Sequence, residues 1–297
     1  MLLILQKYAT IILVIKMKIK ANAKINLTLD VVRRRSDGYH DVEMIMQTLA
    51  LCDEIEINKT EKGILLSGSG AGLAYDESNL AYRAAQLFFD KSRICGGAQI
   101  YIEKKIPICA GLAGGSSDAA AVLTGLNGLF GMPLTQGELM ETGAKLGADV
   151  PFCIMKGTAL AQGIGEILSP IAPIADVNVV LVKPDIGVST PWAYKNLELE
   201  KIGHPDTEKA VRCIESGDTG TLWKTCANVF ESVVFTHYPI VKEIKESMAS
   251  CGADLSLMSG SGPTVFGIFE NENNAKAAYK FFKEKFKETF LTKNYNV

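Results

Sequence analysis

Residues 107–121 read Pro-Ile-Cys-Ala-Gly-Leu-Ala-Gly-Gly-Ser-Ser-Asp-Ala-Ala-Ala, a glycine-rich turn that leads into an apolar run. Residues 98–103 ahead of it alternate apolar and polar side chains, a period of two that predicts a half-buried strand. Ser116, Ser117 and Asp118 precede the alanines, which predicts the capped N-terminus of a helix. A strand, a glycine turn and a helix together predict an anion site, because small residues let the backbone approach a phosphate and the first helical turn presents free N–H groups.

Two better-known phosphate loops do not match this stretch. A Walker A loop needs Gly-Lys followed by Ser or Thr, whereas Gly114-Gly115 is followed by Ser116 with no lysine. The dinucleotide pattern fails as well, because glycines stand at positions 111, 114 and 115 and not at the G-x-G-x-x-G spacing. From spacing alone, a plain glycine turn between strand and helix remains an alternative.

The composition is that of an ordinary folded protein. The chain has 297 residues, 47% hydrophobic and 22% charged, which suits one large or two ordinary domains. A net charge of -2 gives no general attraction to nucleic acid or to an anionic membrane, and we expect neither as a partner. Seven cysteines, an odd number without a C-x-x-C pair, and only three histidines favour reduced thiols in a cytoplasmic protein without a metal centre.

The first sixteen residues differ from the rest. Residues 8–15 are nearly all apolar, but they are too few to span a bilayer and no small-x-small cleavage site follows them. We expect residues 1–16 to be an extension, either a misread translation start or a poorly ordered segment, with Met17 as the natural start. A membrane tether is the less favoured alternative.

Residues 18–32 alternate apolar and polar side chains, which predicts a strand with one polar face. Lys24 and Asn26 share that face, two residues apart. A solvated strand face would explain both residues without any function.

A charged turn follows at residues 33–41. Asp37-Gly38 is a strong turn signal. Tyr39 and His40 come directly after it, and an aromatic residue beside a histidine in a turn is usually ordinary surface.

Two further segments predict helix starts. Residues 146–152 read Leu-Gly-Ala-Asp-Val-Pro-Phe, in which Asp149 precedes a proline suited to the first helical turn, so N-capping is one explanation for this aspartate. Residues 188–194 place hydroxyl groups and a proline ahead of aromatic rings, and an ordinary helix start there would carry Thr190 and Tyr194.

Periodicity and turn residues predict the remaining elements. We expect strands at 42–51, 54–58, 64–67, 157–162 and 177–183, and helices at 79–92, at 135–147 and within 206–252. Residues 169–173 predict a domain boundary. Residues 255–267 hold a second glycine-rich stretch, for which a hairpin is one explanation, and an amphipathic helix at 275–286 is expected to close the chain.

Three stretches resemble the motifs of the GHMP kinases, the family of galactokinase, homoserine kinase and mevalonate kinase. Residues 107–117 resemble the second motif, with Ala113 where the pattern has glycine. Residues 21–29, Ala-Asn-Ala-Lys-Ile-Asn-Leu-Thr-Leu, resemble the first motif, with Asn22 where the family has proline. Residues 259–264, Ser-Gly-Ser-Gly-Pro-Thr, resemble the third motif. Their order along the chain is that of the family.

The resemblance implies an α+β fold with two domains. The N-terminal domain, residues 17–170, would be like ribosomal protein S5 domain 2, and the C-terminal domain, residues 171–297, would be ferredoxin-like. ATP would bind in the cleft between them, with Mg²⁺ screening its phosphates, and the third motif would pack beside the second. The protein would be a monomer or a homodimer.

The resemblance also implies the residues that act. Asp149 would be the catalytic base that accepts a substrate hydroxyl proton, and Lys24 would steady the developing charge. The nucleotide would be held by a contiguous set of loop residues: Pro107, Ala110, Gly111, Leu112, Ala113, Gly114, Gly115, Ser116 and Ser117.

The string Arg-x-Asp-Gly-Tyr-His-Asp-Val at residues 35–42 resembles the signature of one GHMP subfamily, whose small-molecule substrate carries a diphosphocytidyl group. Tyr39 and His40 would then hold the cytosine, by a stacking face and a hydrogen bond to the base edge. Further substrate contacts would come from Asn26, Thr190 and Tyr194. The alternatives are a GHMP kinase for homoserine or a mevalonate derivative, a non-catalytic nucleotide sensor, and an inactive interaction module.

Overall fold

A computed structural model describes residues 16–70 and 72–297. The expected extension at residues 1–16 lies outside this part of the chain except for Lys16, which begins the first strand. The strands are β1 (Lys16–Arg34), β2 (His40–Thr60), β3 (Gly63–Gly68), β4 (Gly97–Glu103), β5 (Thr158–Gln162), β6 (Ile167–Pro170), β7 (Asn178–Lys183), β8 (Leu255–Met258), β9 (Val265–Phe269) and β10 (Glu288–Lys293). The α-helices are α1 (Leu80–Ser92), α2 (Gly114–Leu129), α3 (Gln136–Ala144), α4 (Val150–Met155), α5 (Thr190–Asn196), α6 (Thr207–Ser216), α7 (Thr219–Thr225), α8 (Glu231–His237), α9 (Pro239–Ser250) and α10 (Glu272–Lys283).

The strands form two sheets. The first sheet has the order β3-β4-β2-β5-β6, with β1 also paired to β2; β3 runs parallel to β4 and the other pairs are antiparallel. The second sheet is antiparallel with the order β10-β7-β9-β8. Helices α1, α2 and α4 pack on the first sheet, and α9 and α10 pack on the second. The glycine-rich turn of residues 107–113 therefore joins a strand of the first sheet to the helix packed on it.

The two sheets share an apolar core. Leu29 and Met44 of the first sheet cluster with Val180 and Val265 of the second, and all four side chains are buried. Burial of such side chains is the main favourable term in folding, so the sheets stabilise one another. Among the residues with described positions, no helix is long and apolar enough to cross a membrane.

The second strand is longer than predicted. The strands expected at 42–51 and 54–58 are one strand, β2, which pairs with β1 along most of its length. The pairing register shifts between Asn22 and Lys24, whose partners are Cys52 and Thr48, so β2 carries two extra residues there. The expected break at Cys52-Asp53 is wrong, because β2 runs through both residues. Asp53 is fully buried and lies on the same strand face as the buried Ile55.

Two strands were missed. β6 ends within the segment predicted as a domain boundary, which it overlaps at residues 169 and 170. β10 follows α10, so the expected final helix does not close the chain. Both are edge strands, and β6 ends at Pro170, a residue that edge strands tolerate because it donates no backbone hydrogen bond. Most other elements lie where periodicity predicted them. Helix α1 begins after its Asn79 cap, and α3 begins with a capping box formed by Thr135 and Glu138.

Candidate active site

In the glycine-rich turn, backbone φ angles alternate between positive and negative values. Cys109, Gly111 and Ala113 have positive φ angles of 52°, 74° and 57°, and the residues between them do not. Such alternation turns successive backbone N–H groups toward one side and forms a nest for anions. The first N–H groups of α2 lack partners within the helix and extend the same donor surface. This geometry fits the expected phosphate site better than a plain turn does.

Helix α2 begins earlier than predicted. Its N-cap is Ala113, which makes no side-chain cap hydrogen bond, so the prediction that Ser116 and Ser117 cap the helix is wrong. Both serines lie within the first turn instead. The Ser117 hydroxyl donates to the Asn22 carbonyl oxygen at 2.7 Å, and the Lys24 backbone N–H donates to the Leu112 carbonyl oxygen at 3.1 Å. The loop and strand β1 are therefore fixed to each other.

The second glycine-rich stretch packs against the first, as expected for the third motif. The Ser259 hydroxyl donates to the Gly111 carbonyl oxygen at 2.9 Å. A Cβ atom on Gly111 would lie 2.2 Å from the Ser259 carbonyl oxygen, so this approach requires glycine. Ser261 lies 2.8 Å from Thr190, hydroxyl to hydroxyl, at the start of α5. Thr190 therefore contacts the second glycine-rich stretch.

Lys24 and Asp149 face each other beside the loop. The Lys24 Nζ atom lies 3.6 Å from Asp149 Oδ2 and donates to Asn26 Oδ1 at 2.9 Å. The polar face of β1 around Lys24 is buried, so a solvated strand face is the wrong explanation. N-capping is also the wrong explanation for Asp149: it occupies the N-cap position of α4, but its side chain makes no cap hydrogen bond and points to the lysine.

His40 and Tyr194 form a stacked pair on the side of Asp149. Their ring centroids are 4.9 Å apart at an interplanar angle of 28°. Burial raises the pKa of Tyr194 to about 12, and the nearby Asp149 carboxylate adds to this rise. Burial, with help from Arg34, lowers the pKa of His40, so its imidazole is neutral at pH 7. Tyr194 therefore contacts His40, one of the two residues predicted to hold the cytosine, and lies near Asp149, the predicted catalytic base.

The structure groups most of the predicted residues, but not all of them by direct contact. Lys24, Asn26 and Asp149 meet beside the loop, and His40 meets Tyr194. Tyr39 is 60% exposed at the tip of its turn, where a flat ring is available for stacking.

A lysine near the phosphate loop was missed by sequence analysis. Lys104, just after β4, brings its ammonium to the first residue of α2: a Cβ atom on Gly114 would lie 3.1 Å from Lys104 Nζ. A Walker A loop carries its lysine within the loop, whereas here the lysine comes from the preceding strand end. The Lys104-Lys105 pair was the available signal, and nothing in the spacing separated the buried lysine from the exposed one.

Two family models match the chain. The model of the GHMP kinases N terminal domain matches residues 79–157, and the model of the GHMP kinases C terminal region matches residues 210–288. With the paired glycine loops and the two-sheet architecture, these matches define a kinase of the GHMP type and confirm the predicted α+β fold with two GHMP kinase domains.

Individual relatives narrow the class. The 4-diphosphocytidyl-2-C-methyl-D-erythritol kinase of Acetivibrio thermocellus is 48% identical over 275 residues, which cover 92% of this chain and 97% of that protein. A crystal structure of 4-(cytidine 5'-diphospho)-2C-methyl-D-erythritol kinase superposes with a TM-score of 0.82 at 33% identity, covering 95% of this chain and 100% of the other. The chain belongs to the GHMP kinase family, among the 4-diphosphocytidyl-2-C-methyl-D-erythritol kinases. A homoserine kinase from Cytophaga hutchinsonii, with a TM-score of 0.75 at 18% identity over 95% of this chain and 96% of the other, shares the fold.

Proposed function

We propose that this protein transfers the γ-phosphoryl group of ATP to the 2-hydroxyl of 4-diphosphocytidyl-2-C-methyl-D-erythritol, a step of non-mevalonate isoprenoid synthesis. The observation that carries the proposal is the order of groups around the cleft. The Lys24 backbone is hydrogen-bonded to the nest at Leu112, and the side chain of Lys24 lies 3.6 Å from Asp149. Asp149 in turn lies close to Tyr194, which stacks on His40. A phosphate donor and a cytidyl acceptor would thus meet at one lysine-carboxylate pair.

The loop would hold the phosphates by backbone N–H groups. The nest of residues 109–113 and the first turn of α2 present donors without needing a charged side chain in the loop, and the helix dipole favours the negative charge. Leu112 of the loop is hydrogen-bonded to Lys24, and Ser117 of α2 is hydrogen-bonded to Asn22. Because both bonds join the phosphate site to β1, the bound phosphate would keep a fixed position relative to Lys24. Phosphoryl transfer depends mainly on such positioning and on charge neutralisation.

Asp149 would accept the hydroxyl proton of the substrate. Its side chain is 30% exposed, so a hydroxyl can reach it, whereas the Lys24 side chain is 6% exposed and fixed by Asn26. As the hydroxyl oxygen attacks the γ-phosphorus, its proton would move to the Asp149 carboxylate, the bond from the γ-phosphorus to the β,γ-bridging oxygen would break, and ADP would leave. The Lys24 ammonium would stabilise the charge that builds on the transferred group.

Mg²⁺ would arrive with the nucleotide. Within residues 16–70 and 72–297, no group of three or more His, Cys, Asp or Glu side chains is placed to hold a metal ion. Mg²⁺ commonly keeps several waters and binds through substrate phosphates, which fits a site built from backbone donors. When bound, it neutralises phosphate charge.

The cytidyl group would be recognised by rings. Tyr39 is free to stack on a base, and a neutral His40 offers one donor and one acceptor to a base edge. Tyr194, behind His40, fixes the imidazole plane by stacking. A substrate without a base, such as homoserine or mevalonate, would leave these groups without a partner.

We also propose the division into domains of residues 17–170 and 171–297. The first sheet ends with β6 at Pro170, and every strand of the second sheet lies beyond it. A cytoplasmic location and a monomeric or homodimeric state remain predictions from the sequence.

The proposed function is tested by an ADP-release assay with ATP and Mg²⁺. The purified protein is offered 4-diphosphocytidyl-2-C-methyl-D-erythritol, homoserine and mevalonate in separate reactions. We expect turnover with the cytidyl substrate alone. Turnover with homoserine or mevalonate in its place would keep the fold and the lysine-carboxylate pair but refute the substrate.

A further inference from the structure

A buried cluster of three charged residues lies beneath the phosphate loop. Lys104 Nζ donates to Asp53 Oδ2 at 2.5 Å and to Asp118 Oδ2 at 2.6 Å. All three side chains are almost inaccessible to solvent: Lys104 is 6% exposed, Asp53 0% and Asp118 4%. Burial of charged groups costs free energy unless they are paired and hydrogen-bonded. A buried cluster of three ionisable side chains at this position therefore suggests a role for it.

The cluster holds both ends of the loop. Asp53 Oδ1 accepts from the backbone N–H groups of Lys105 and Ile106 at 2.5 and 2.8 Å, where the chain enters the loop. Asp118 lies on α2, one turn after Gly114, where the chain leaves the loop. Lys104 joins the two carboxylates and lies directly against the backbone of Gly114. Both the loop conformation and the local charge therefore depend on this cluster.

The charges of the cluster do not balance if every group is ionised. Burial raises the pKa of Asp118 to about 8, with the Asp53 carboxylate adding to the rise and Lys104 opposing it. Burial would lower the pKa of Lys104, but the two carboxylates outweigh it and raise that pKa. Asp118 Oδ1 is buried and has no hydrogen-bond partner among the described residues. At pH 7 the cluster is thus neutral, with the proton on Asp118.

The groups around Asp118 support this assignment. Asp53 faces it from β2, Lys104 from the end of β4, and the Cys153 thiol from α4. Burial raises the pKa of Cys153 well above its usual range, so the thiol is neutral and adds no charge. Ionisation of Asp118 would therefore give the cluster one uncompensated negative charge beside the loop.

We propose that Lys104, Asp53 and Asp118 position the phosphate loop, and that the charge of this buried cluster sets the affinity of the loop for nucleotide phosphates. The inference rests on the proposed function in one respect, since it takes this loop to bind the phosphates of ATP. In the neutral cluster the Lys104 ammonium and the helix dipole both favour an anion. When Asp118 ionises, its charge opposes the phosphates at short range.

The direct test is the affinity for ADP with Mg²⁺, measured by titration calorimetry from about pH 7.5 to about pH 9, where phosphate groups with a second pKa near 6 are already ionised. We expect the affinity of the native protein to fall by about fivefold or more across this range, a typical coupling between two sites. Asp118→Asn keeps the shape but cannot ionise, so its affinity should not fall. A flat profile for the native protein, or the same fall in Asp118→Asn, would overturn the proposal.

A pair of adjacent lysines gives a matched control. Lys104→Met leaves buried carboxylates without their cation, so we expect the KM for ATP to rise by about tenfold or more while kcat changes less. Lys105 bridges Glu54 at the surface, and Lys105→Met should leave KM and kcat near native. Equal behaviour of the two variants would refute the positioning role. If Lys104→Met does not fold, the pH profile of Asp118→Asn remains the test.

Failure of this inference can be told from failure of the proposed function. Turnover of the cytidyl substrate together with an ADP affinity independent of pH would leave the function standing and overturn the role of the cluster. An ADP affinity that falls above pH 8 only when Asp118 is present, without turnover of that substrate, would support the cluster and refute the function.

Discussion

Two sites beside the glycine-rich loop of residues 107–113 pair a lysine with aspartate, and they differ in their exposure to solvent. Lys24 and Asp149 lie 3.6 Å apart, with the Asp149 side chain partly open to solvent. Lys104 lies within 2.6 Å of both Asp53 and Asp118, which are closed off from solvent. A solvent-accessible carboxylate can receive a proton from the hydroxyl of a bound substrate. A buried carboxylate cannot contact the substrate, so its protonation state can affect only the surrounding protein. A lysine with aspartate is therefore suited to proton transfer at Lys24 and Asp149, and to positioning of the loop at Lys104.

The surroundings of the carboxylates explain the contrast. Asp149 stands at the start of α4 at the edge of the cleft, near Tyr194 and Lys24. Asp53 and Asp118 instead share one ammonium inside the protein, and burial raises the pKa of Asp118. Substitutions that remove a charge should consequently affect turnover at the open pair, and nucleotide affinity and stability at the closed cluster.

The largest effect is expected from Asp149→Asn. Removal of the general base should lower kcat by about 10²-fold or more, because an amide cannot accept the hydroxyl proton. The variant is assayed with saturating ATP, Mg²⁺ and 4-diphosphocytidyl-2-C-methyl-D-erythritol, and its affinity for ADP is measured separately. ADP affinity should stay within about twofold of native, as expected when transition-state stabilisation alone is removed. Near-normal turnover would contradict the assigned role and remove the contrast between the two sites.

Lys24→Met is expected to come next. Loss of the ammonium should lower kcat by about 10²-fold, since charge on the transferred phosphoryl group would lack its cation. The informative partner is Lys104→Met, which should act mainly on the KM for ATP. Steady-state kinetics of both variants would separate the sites. A rise in KM without loss of kcat in Lys24→Met would mean that this lysine also serves only in binding.

His40→Ala tests recognition of the cytidyl group near the solvent-accessible Lys24-Asp149 pair. Loss of the imidazole removes the hydrogen bonds proposed to the base edge and the stack on Tyr194, and it should raise the KM for the cytidyl substrate by about tenfold, the range expected for one lost hydrogen bond. The KM for ATP should hardly change, and it serves as the internal control. Equal increases in both KM values would show a general disturbance of the cleft and count against cytosine recognition.

Asp118→Asn should also change stability in a pH-dependent way. The pKa of Asp118 is raised in the folded state, so between its ordinary pKa of about 4 and about 8 the folded protein binds more protons than the unfolded chain, and its stability falls as the pH rises. The asparagine variant lacks this loss. Its free energy of unfolding in urea, relative to native, should therefore increase from about pH 5 to about pH 8, by an amount on the order of 1 kcal/mol or more. A constant difference would argue that Asp118 is ionised throughout.

The open pair could be predicted from the sequence and the closed cluster could not, for physical reasons. Lys24 and Asp149 were predicted from the resemblance of this chain to the GHMP kinases, and the structure brings them together. Asp53 is 51 residues from Lys104, and the two come together because β2 continues through residues 52 and 53, where a break was predicted, and pairs with β4. Likewise β6 and β10 depend on edge pairing with distant strands, which local periodicity does not report. Local sequence patterns predicted most helices and strands. The buried charge cluster could not be predicted, because its residues come together only when the sheet is assembled.

Ala113 offers the smallest and most local test of the loop on which both sites depend. Its φ of 57° is left-handed, a conformation that costs about 1–2 kcal/mol for a residue with a Cβ atom. Ala113→Gly should relieve this strain but add entropy to the unfolded chain, so we expect a net gain of less than about 1 kcal/mol in urea unfolding, with the KM for ATP within about twofold of native.

Ala110 is the matched control for that change, because it lies in the same loop, is buried, and is not among the residues with positive φ. Ala110→Gly should lose about 0.5–1 kcal/mol, since it removes a buried methyl group and relieves no strain. Opposite signs for the two variants would show that the alanine at position 113 is held in its conformation by the surrounding contacts. Those contacts come from the third motif at Gly111 and from the Lys104 cluster at Gly114. Equal destabilisation would mean that the loop has no strain to release and that the cluster holds a relaxed backbone.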